Sequence, residues 1–209
     1  SNNFFNIGFS GVLGGLFLGT AMTGFIFSIT MTTAAVTLFM LAAMPFIAAI
    51  VGYFVLGEVL RRSTIISMII AFIGVCIMII NDSISGSALG AFIGFISATG
   101  FALYTVTIRW KPETPKFTTV AVAGLFCCIF SSIIIIQKDM NFLSTSNNQG
   151  LFALHGTIVC LGLILYSIGS KIIPAAELTL LSLTEIIGGI FWVWIPLFGI
   201  NEIPSNNTI

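Results

Sequence analysis

Long apolar runs alternate with short polar breaks along this chain. The runs predict seven helices, over Phe9–Ile29, Ala34–Leu56, Ser63–Ile80, Ala88–Ile108, Thr118–Ile136, Leu151–Gly169 and Ala175–Phe198. The breaks fall at Ser28–Thr33, Glu58–Arg62, Asn81–Ser87, Arg109–Lys116, Gln137–Gly150 and Ser170–Pro174. Crossing the hydrocarbon core of a bilayer takes roughly 20 apolar residues, and these runs are of that order. Inside lipid every backbone amide and carbonyl must be paired internally, so only helices or closed barrels can span. Barrel strands alternate apolar and polar residues, and these runs do not. The expected fold class is therefore all-α, a polytopic transmembrane helix bundle. Ser1–Gly57 contains no charged residue and is too long for one span, so a polar break must divide it into two. Pro174 suits the first turn of a helix, where no amide hydrogen is needed.

Composition agrees. Hydrophobic residues make up 57% of the chain and charged residues 7%, with a mean hydropathy of +1.14. Soluble domains carry roughly 25% charged residues, so this chain cannot cover a water-facing surface. The lipid bilayer is its expected surrounding. The formal net charge is zero, which gives no electrostatic case for nucleic acid. Cys76, Cys127, Cys128 and Cys160 lie inside apolar runs without a CxxC pair, and read as small apolar packing residues. The chain opens Ser1-Asn2-Asn3-Phe4 without Met or a signal peptide and stops in a polar segment at Ile209. It reads as an internal piece of a longer protein, truncated at both ends.

The basic residues sort by break. The second break holds Arg61 and Arg62, the fourth Arg109, Lys111 and Lys116, and the sixth Lys171, whereas the odd-numbered breaks hold only Lys138. Seven consecutive spans require this alternation, and cytoplasmic loops carry the excess of Lys and Arg. The six basic residues of the even breaks are therefore expected on the cytoplasmic side of a cell (inner) membrane.

Two stretches resemble each other. The first runs from Thr32-Thr33-Ala34-Ala35 through Met44-Pro45 to Leu56-Gly57-Glu58. The second runs from Ile173-Pro174-Ala175-Ala176 through Glu185 to Gly199 and Glu202. Each is a short polar lead, an Ala-Ala start, an apolar helix broken near its middle, and a closing Gly and Glu. They belong to the second and seventh spans, an odd number of crossings apart, so they run in opposite directions. Inverted repeats of this kind recur in secondary transporters, with the substrate near the midplane.

With those residues the sequence resembles the EamA type of the drug/metabolite transporter superfamily. The resemblance is carried by Ala34-Ala35 to Met44-Pro45, Leu56-Gly57-Glu58, Gly74-Val75, Pro174-Ala175-Ala176-Glu177, Glu185, Trp192-Val193-Trp194 and Glu202-Ile203-Pro204-Ser205, and covers essentially the whole chain. It implies ten helices in two inverted five-helix repeats, of which this chain would hold helices three to nine. Residues 1–82 would then be the remainder of the first repeat, and 83–209 the second repeat without its last helix. Ile186, where the family often has Pro, and Pro196 depart from the pattern. The implied function is secondary transport of a small metabolite (an amino acid, nucleoside, amine or similar) by alternating access, with no cofactor and no catalytic or metal site. A homodimer is left open.

Several polar residues are candidates for substrate binding. Glu185 sits near the middle of its span, where a charged group costs at least about 2.5 kcal/mol and commonly marks a substrate or proton route. The other reading is a neutral Glu185 bonded to a neighbouring helix. Trp192 lies seven residues on, on the same face. A carboxylate with an indole suits a cationic or amphipathic ligand. Glu177 either lines the cavity mouth or is a solvated first-turn acid favoured by the helix dipole. Pro45 removes a helical hydrogen bond inside a span, which reads either as a kink beside the pathway or as a structural bend. His155, one turn inside the outer end of its span, also reads as a structural or solvated histidine, and Tyr104, Thr23 and Ser97 are further polar positions, each also readable as an interhelical bond. Gly11, Gly15 and Gly19, and Gly86, Gly90, Gly94, Ala98 and Ala102, recur every fourth residue and read as close-packing faces. Glu58 is expected to pair locally with Arg61 at the surface, worth little energy.

The runner-up reading is a non-transporting membrane scaffold or receptor. An intramembrane enzyme is further off, because His155 has no nucleophile elbow to serve and no HExxH is present. A reporter fused after Asn81 should read as non-cytoplasmic; a cytoplasmic signal would sink the predicted topology.

Overall fold

A computed structural model describes residues 7–80, 87–137, 146–185 and 188. The expected division between residues 82 and 83, Gly86, Lys138, Trp192, Pro196, Glu202 and nearly all of the last helix beyond residue 185 lie outside the described residues. The described chain is all helical: α1 (Gly8–Met31), α2 (Ala34–Leu41), α3 (Met44–Leu56), α4 (Arg62–Ile80), α5 (Ala88–Trp110), α6 (Lys116–Gln137), α7 (Ser146–Gly169) and α8 (Ala175–Ser182). Among the described residues, five stretches are helical, long and apolar enough to cross a membrane: Gly8–Met31, Ala34–Leu56, Ala88–Trp110, Lys116–Gln137 and Gln149–Gly169. This composition is that of a helical membrane bundle and is compatible with a multi-pass integral membrane protein.

Local chemistry sets where helices start and stop. Thr33 caps α2 by accepting from the amide of Val36 at 3.2 Å, and Ser87 caps α5 by accepting from Leu89 at 3.2 Å. α3 stops at Gly57, whose φ of 67° is left-handed and favours glycine. The amide of Gly57 bonds the Tyr53 carbonyl at 3.1 Å, the αL form of helix stop, and the amide of Glu58 reaches back to the carbonyl of Gly52 at 3.3 Å.

α5 is the central helix. On one side Tyr104 and Ile108 join Leu18 of α1 and Val120 and Ala123 of α6 in a buried cluster, flanked by Leu163, Ile164 and Tyr166 of α7. On another side Ala102 and Val106 meet Ala48 of α3 and Ala175 of α8. A third cluster joins Ala49 of α3, Met68 of α4 and Ala176 of α8. The helix order in space thus runs from α6 and α7 through α1 and α5 to α3, α8 and α4.

The polarity is reversed relative to a soluble protein. Fully buried side chains include Ser28, Thr37, Ser97, Thr105, Thr119, Ser167 and Thr179, and much of the apolar core is alanine. Exposed side chains include Phe54, Ile66, Ile70, Leu125, Leu154, Ile158 and Leu165. In lipid, large apolar residues lose nothing by facing outward, whereas small residues and interhelical hydroxyls hold helices together. Ser97 of α5 donates to the Ala21 carbonyl of α1 at 2.6 Å, and the hydroxyls of Ser28 and Thr37 bond each other at 2.8 Å.

The small-residue faces lie at these contacts. A side chain at Gly15 or Gly19 would collide with Val122 or Phe126 of α6, and one at Gly94 with Ser28. Gly100 is the tightest backbone approach: an added Cβ would stand 2.8 Å from the Phe17 carbonyl oxygen and 3.2 Å from the Ala21 nitrogen. Gly74 of α4 has nothing within 4 Å of that position. Gly100→Ala should therefore destabilise by about 1–3 kcal/mol, because backbone must move. Gly74→Ala should be neutral or stabilise by up to about 1 kcal/mol through helix propensity. Equilibrium unfolding of both variants in detergent micelles checks this; equal stabilities would refute the α1–α5 contact.

Candidate functional site

The two Ala-Ala helices share their local geometry. Each follows an extended residue, Thr33 at φ −77°, ψ 155° and Pro174 at φ −54°, ψ 150°. Each then runs for eight residues and stops at a residue of nearly the same conformation, Ala42 at φ −62°, ψ −14° and Leu183 at φ −65°, ψ −14°. Short i→i−3 bonds tighten both stops: Ala43 amide to Met40 carbonyl and Leu183 amide to Leu180 carbonyl, each at 3.1 Å. At the first stop the chain turns through Ala42 and Ala43 and re-enters a helix with Pro45 in its first turn. Pro45 brings no amide hydrogen to the carbonyl of Leu41, so the proline lies just past a break rather than at a simple kink. Phe46, just past the first stop, and Leu180, just before the second, pack against the same cluster. The two discontinuities are therefore neighbours inside the bundle.

Their starts lie at opposite ends. Thr32 and Met31 adjoin the start of α5, where the Ser87 amide bonds the Met31 carbonyl at 3.1 Å. The start of α8 adjoins the other end of α5, at Arg109. That end gathers the loops of the second, fourth and sixth breaks. Ser10 in the first turn of α1 also reaches it, bonding Thr114 at 2.8 Å.

Arg109 organises this end. Its Nε donates to Glu58 Oε1 at 2.6 Å, and its Nη2 lies against the same oxygen. Its Nη1 donates to the carbonyls of Ser170 and Ile173, in the turn between α7 and α8. Glu58 Oε2 accepts the amide of Ala175 at 2.9 Å. Pro174 offers no side-chain cap, so the carboxylate of a different helix caps α8 and also answers the positive end of its dipole. Glu58 thus pairs with Arg109, not with Arg61 as its sequence neighbourhood implied. Little in the local sequence signals this pairing, because the partners are 51 residues apart. The one legible sign was a basic residue in the last turn of a long apolar helix. Lys116, expected in a loop, is the buried first residue of α6 and donates to the Ile108 carbonyl at 2.7 Å, closing the C-terminal end of α5.

The predicted binding residues are spread through the bundle. Glu177, in the first turn of α8, is half-buried and accepts from Thr64 of α4 at 2.9 Å. Pro45 is fully buried beside the α3 contacts with α5 and α8. Tyr104 is fully buried and donates to Ser167 of α7, which itself donates to Leu163 at 2.7 Å. Beside it Tyr166 stacks on Tyr104 with centroids 6.4 Å apart and bonds Thr105 at 2.8 Å. Thr23 of α1 has a buried hydroxyl oxygen without a well-formed bond, and Cys127 beside it points its thiol to the Gly19 carbonyl at 3.6 Å. His155 is exposed on α7. Glu185 is exposed just beyond the second stop, at the place that Met44 holds beyond the first. Pro45 and Glu177 belong to the α3–α8 side and Tyr104 and Thr23 to the α1–α5–α6 side, so these residues do not converge on one point. Among the described residues, no three of His, Cys, Asp and Glu come together as a metal site.

No protein-family model, curated protein or solved structure matches this chain.

The Glu58–Arg109 pair is only 18–19% exposed, which places it between a solvated ion pair and a buried one. A double-mutant cycle with Glu58→Ala and Arg109→Ala should give a coupling energy of about 1–3 kcal/mol, above the roughly 0–1 kcal/mol of solvated pairs. A coupling indistinguishable from zero in micelle unfolding would mean that the two groups act separately.

Proposed function

We propose that this chain supplies the central helices of a secondary transporter of the EamA, drug/metabolite type, moving a small metabolite across the membrane by alternating access. The observation that carries this reading is the matched pair α2 and α8. Two eight-residue helices with an extended lead residue, the same Ala-Ala start and the same stop conformation begin at opposite ends of the bundle and break side by side within it. Paired interrupted helices in corresponding places of two inverted halves are a recurring device for building a midplane substrate site. Interrupted backbone at that depth is tolerated where it is enclosed by protein or lines a cavity.

In this reading Glu185 stands where the second half resumes its helix and provides a carboxylate at the break. Glu177 and Pro45 flank the same pair of helices. Tyr104 and Thr23 hold the supporting bundle rather than the ligand. The end bearing Arg109, Lys116 and Lys171 is the cytoplasmic one, by the excess of basic residues there.

Thermal unfolding of the full-length protein in mild detergent, against a panel of amino acids, nucleosides, polyamines and sugars, tests the reading. A ligand of the folded state at a hundredfold excess over its dissociation constant adds about 2.7 kcal/mol of stability. The expected result is a specific upward shift that Glu185→Gln removes. A well-folded sample that shifts with none of these compounds counts against transport and favours a membrane scaffold.

A further inference from the structure

The geometry points to the Glu58–Arg109 pair as a clasp that closes one end of the bundle and must open when the protein changes state. This deepens the alternating-access reading and rests on it. The described helices group on two sides of α5, and α2 packs on α5, α4 and α1 at the end away from Arg109. One body is α1, α5, α6 and α7, joined through the cluster of Leu18, Tyr104, Ile108, Val120 and Ala123. The other is α3, α4 and α8, joined through Ala49, Met68 and Ala176. Between them the fully buried apolar contacts are Ala48 and Ala175 against Ala102 and Val106, with Ile47, Val51 and Leu56 packed around them. Alanines at the centre of this contact obstruct a small shear of one body on the other less than interlocked large side chains would.

At the Arg109 end the polar bonds between the bodies run through one guanidinium, while at the far end Ser28 of α1 and Thr37 of α2 bond at 2.8 Å. Arg109, on the last turn of α5, holds Glu58 on the segment after α3. Glu58 in turn holds the first amide of α8. The same guanidinium holds the carbonyls of Ser170 and Ile173, so it also fixes the turn by which the chain passes from one body to the other. Glu58 is carried with α3, because its amide bonds the Gly52 carbonyl of that helix. α3 and the start of α8 therefore leave Arg109 together or not at all. When they leave, α8 loses the carboxylate that caps it, and Pro174 has no side-chain cap to put in its place. Parting the bodies at this end exposes the inner face of α8, one turn inside which lies Thr179, fully buried here.

Cysteine labelling in lipid nanodiscs tests this without any substrate. The full chain, with Cys76, Cys127, Cys128 and Cys160 replaced by Ala, carries either Thr179→Cys on α8 or Ser97→Cys, buried in the α1–α5 contact. The probe is a water-soluble maleimide. Glu58→Ala should raise the labelling rate at position 179 by roughly tenfold and leave position 97 unchanged, as expected when one charge-assisted bond biases an opening equilibrium. Glu58→Gln keeps an oxygen for the Ala175 amide and should raise it less. Arg109→Gln carries the same test should Glu58→Ala not fold. An unchanged rate at 179 overturns the clasp. So does an equal rise at both positions, which would make the pair a general staple of the fold. A clasp that opens in a chain stabilised by none of the small molecules would count against transport and leave the moving joint; ligand binding with unchanged labelling would do the reverse.

Discussion

A chain that crosses lipid repeatedly must turn around without leaving backbone groups unpaired, and here one guanidinium meets much of that demand. Arg109 accepts the task at the end of α5, where it binds two carbonyls of the α7–α8 turn and a carboxylate from the end of α3. An arginine suits this place because its planar fork offers five donors in fixed directions and stays charged. A lysine concentrates its three donors on one nitrogen and has no planar fork to span acceptors spread over three residues. Lys116, a few residues on, shows the simpler use: a point charge set on the Ile108 carbonyl. Together the two cations neutralise the negative end of α5 and the exposed carbonyls of its neighbours.

The spans were legible in the sequence because lipid imposes length and composition directly. The expected helices at Phe9–Ile29, Ala88–Ile108 and Thr118–Ile136 extend by a turn or less at each end in α1, α5 and α6. The interruption of the second span was legible through Pro45. Its position was not, because a proline in a first turn marks where a helix resumes, and the stop lies upstream at Ala42 and Ala43. The second stop, at Leu183, has no proline to announce it. Only its likeness to the first stretch pointed there.

The polar partners were not legible. Serine and threonine in a span are visible as letters, but whether Ser97 faces Ala21 or Tyr104 faces Ser167 depends on helix rotation, which weakly amphipathic helices do not record. The Glu58 partner shows the same limit from another side. Sequence proximity favoured Arg61, and a capping role at Ala175 that no local motif encodes decided otherwise. The candidate site was accordingly half visible: the two Ala-Ala starts and Glu177 and Glu185 could be named, the arrangement joining them could not.

The exchange of large apolar side chains for small and hydroxylic ones in the interior has a calorimetric consequence. The heat-capacity rise on unfolding a soluble protein comes from apolar surface newly met by water. In this bundle the apolar bulk already faces outward, and what separates when helices part is alanine, glycine and hydroxyl surface moving into lipid or detergent. Its unfolding should thus carry a small heat-capacity change for its length. Its stability curve should be correspondingly flat, with packing enthalpy rather than water exclusion setting its height.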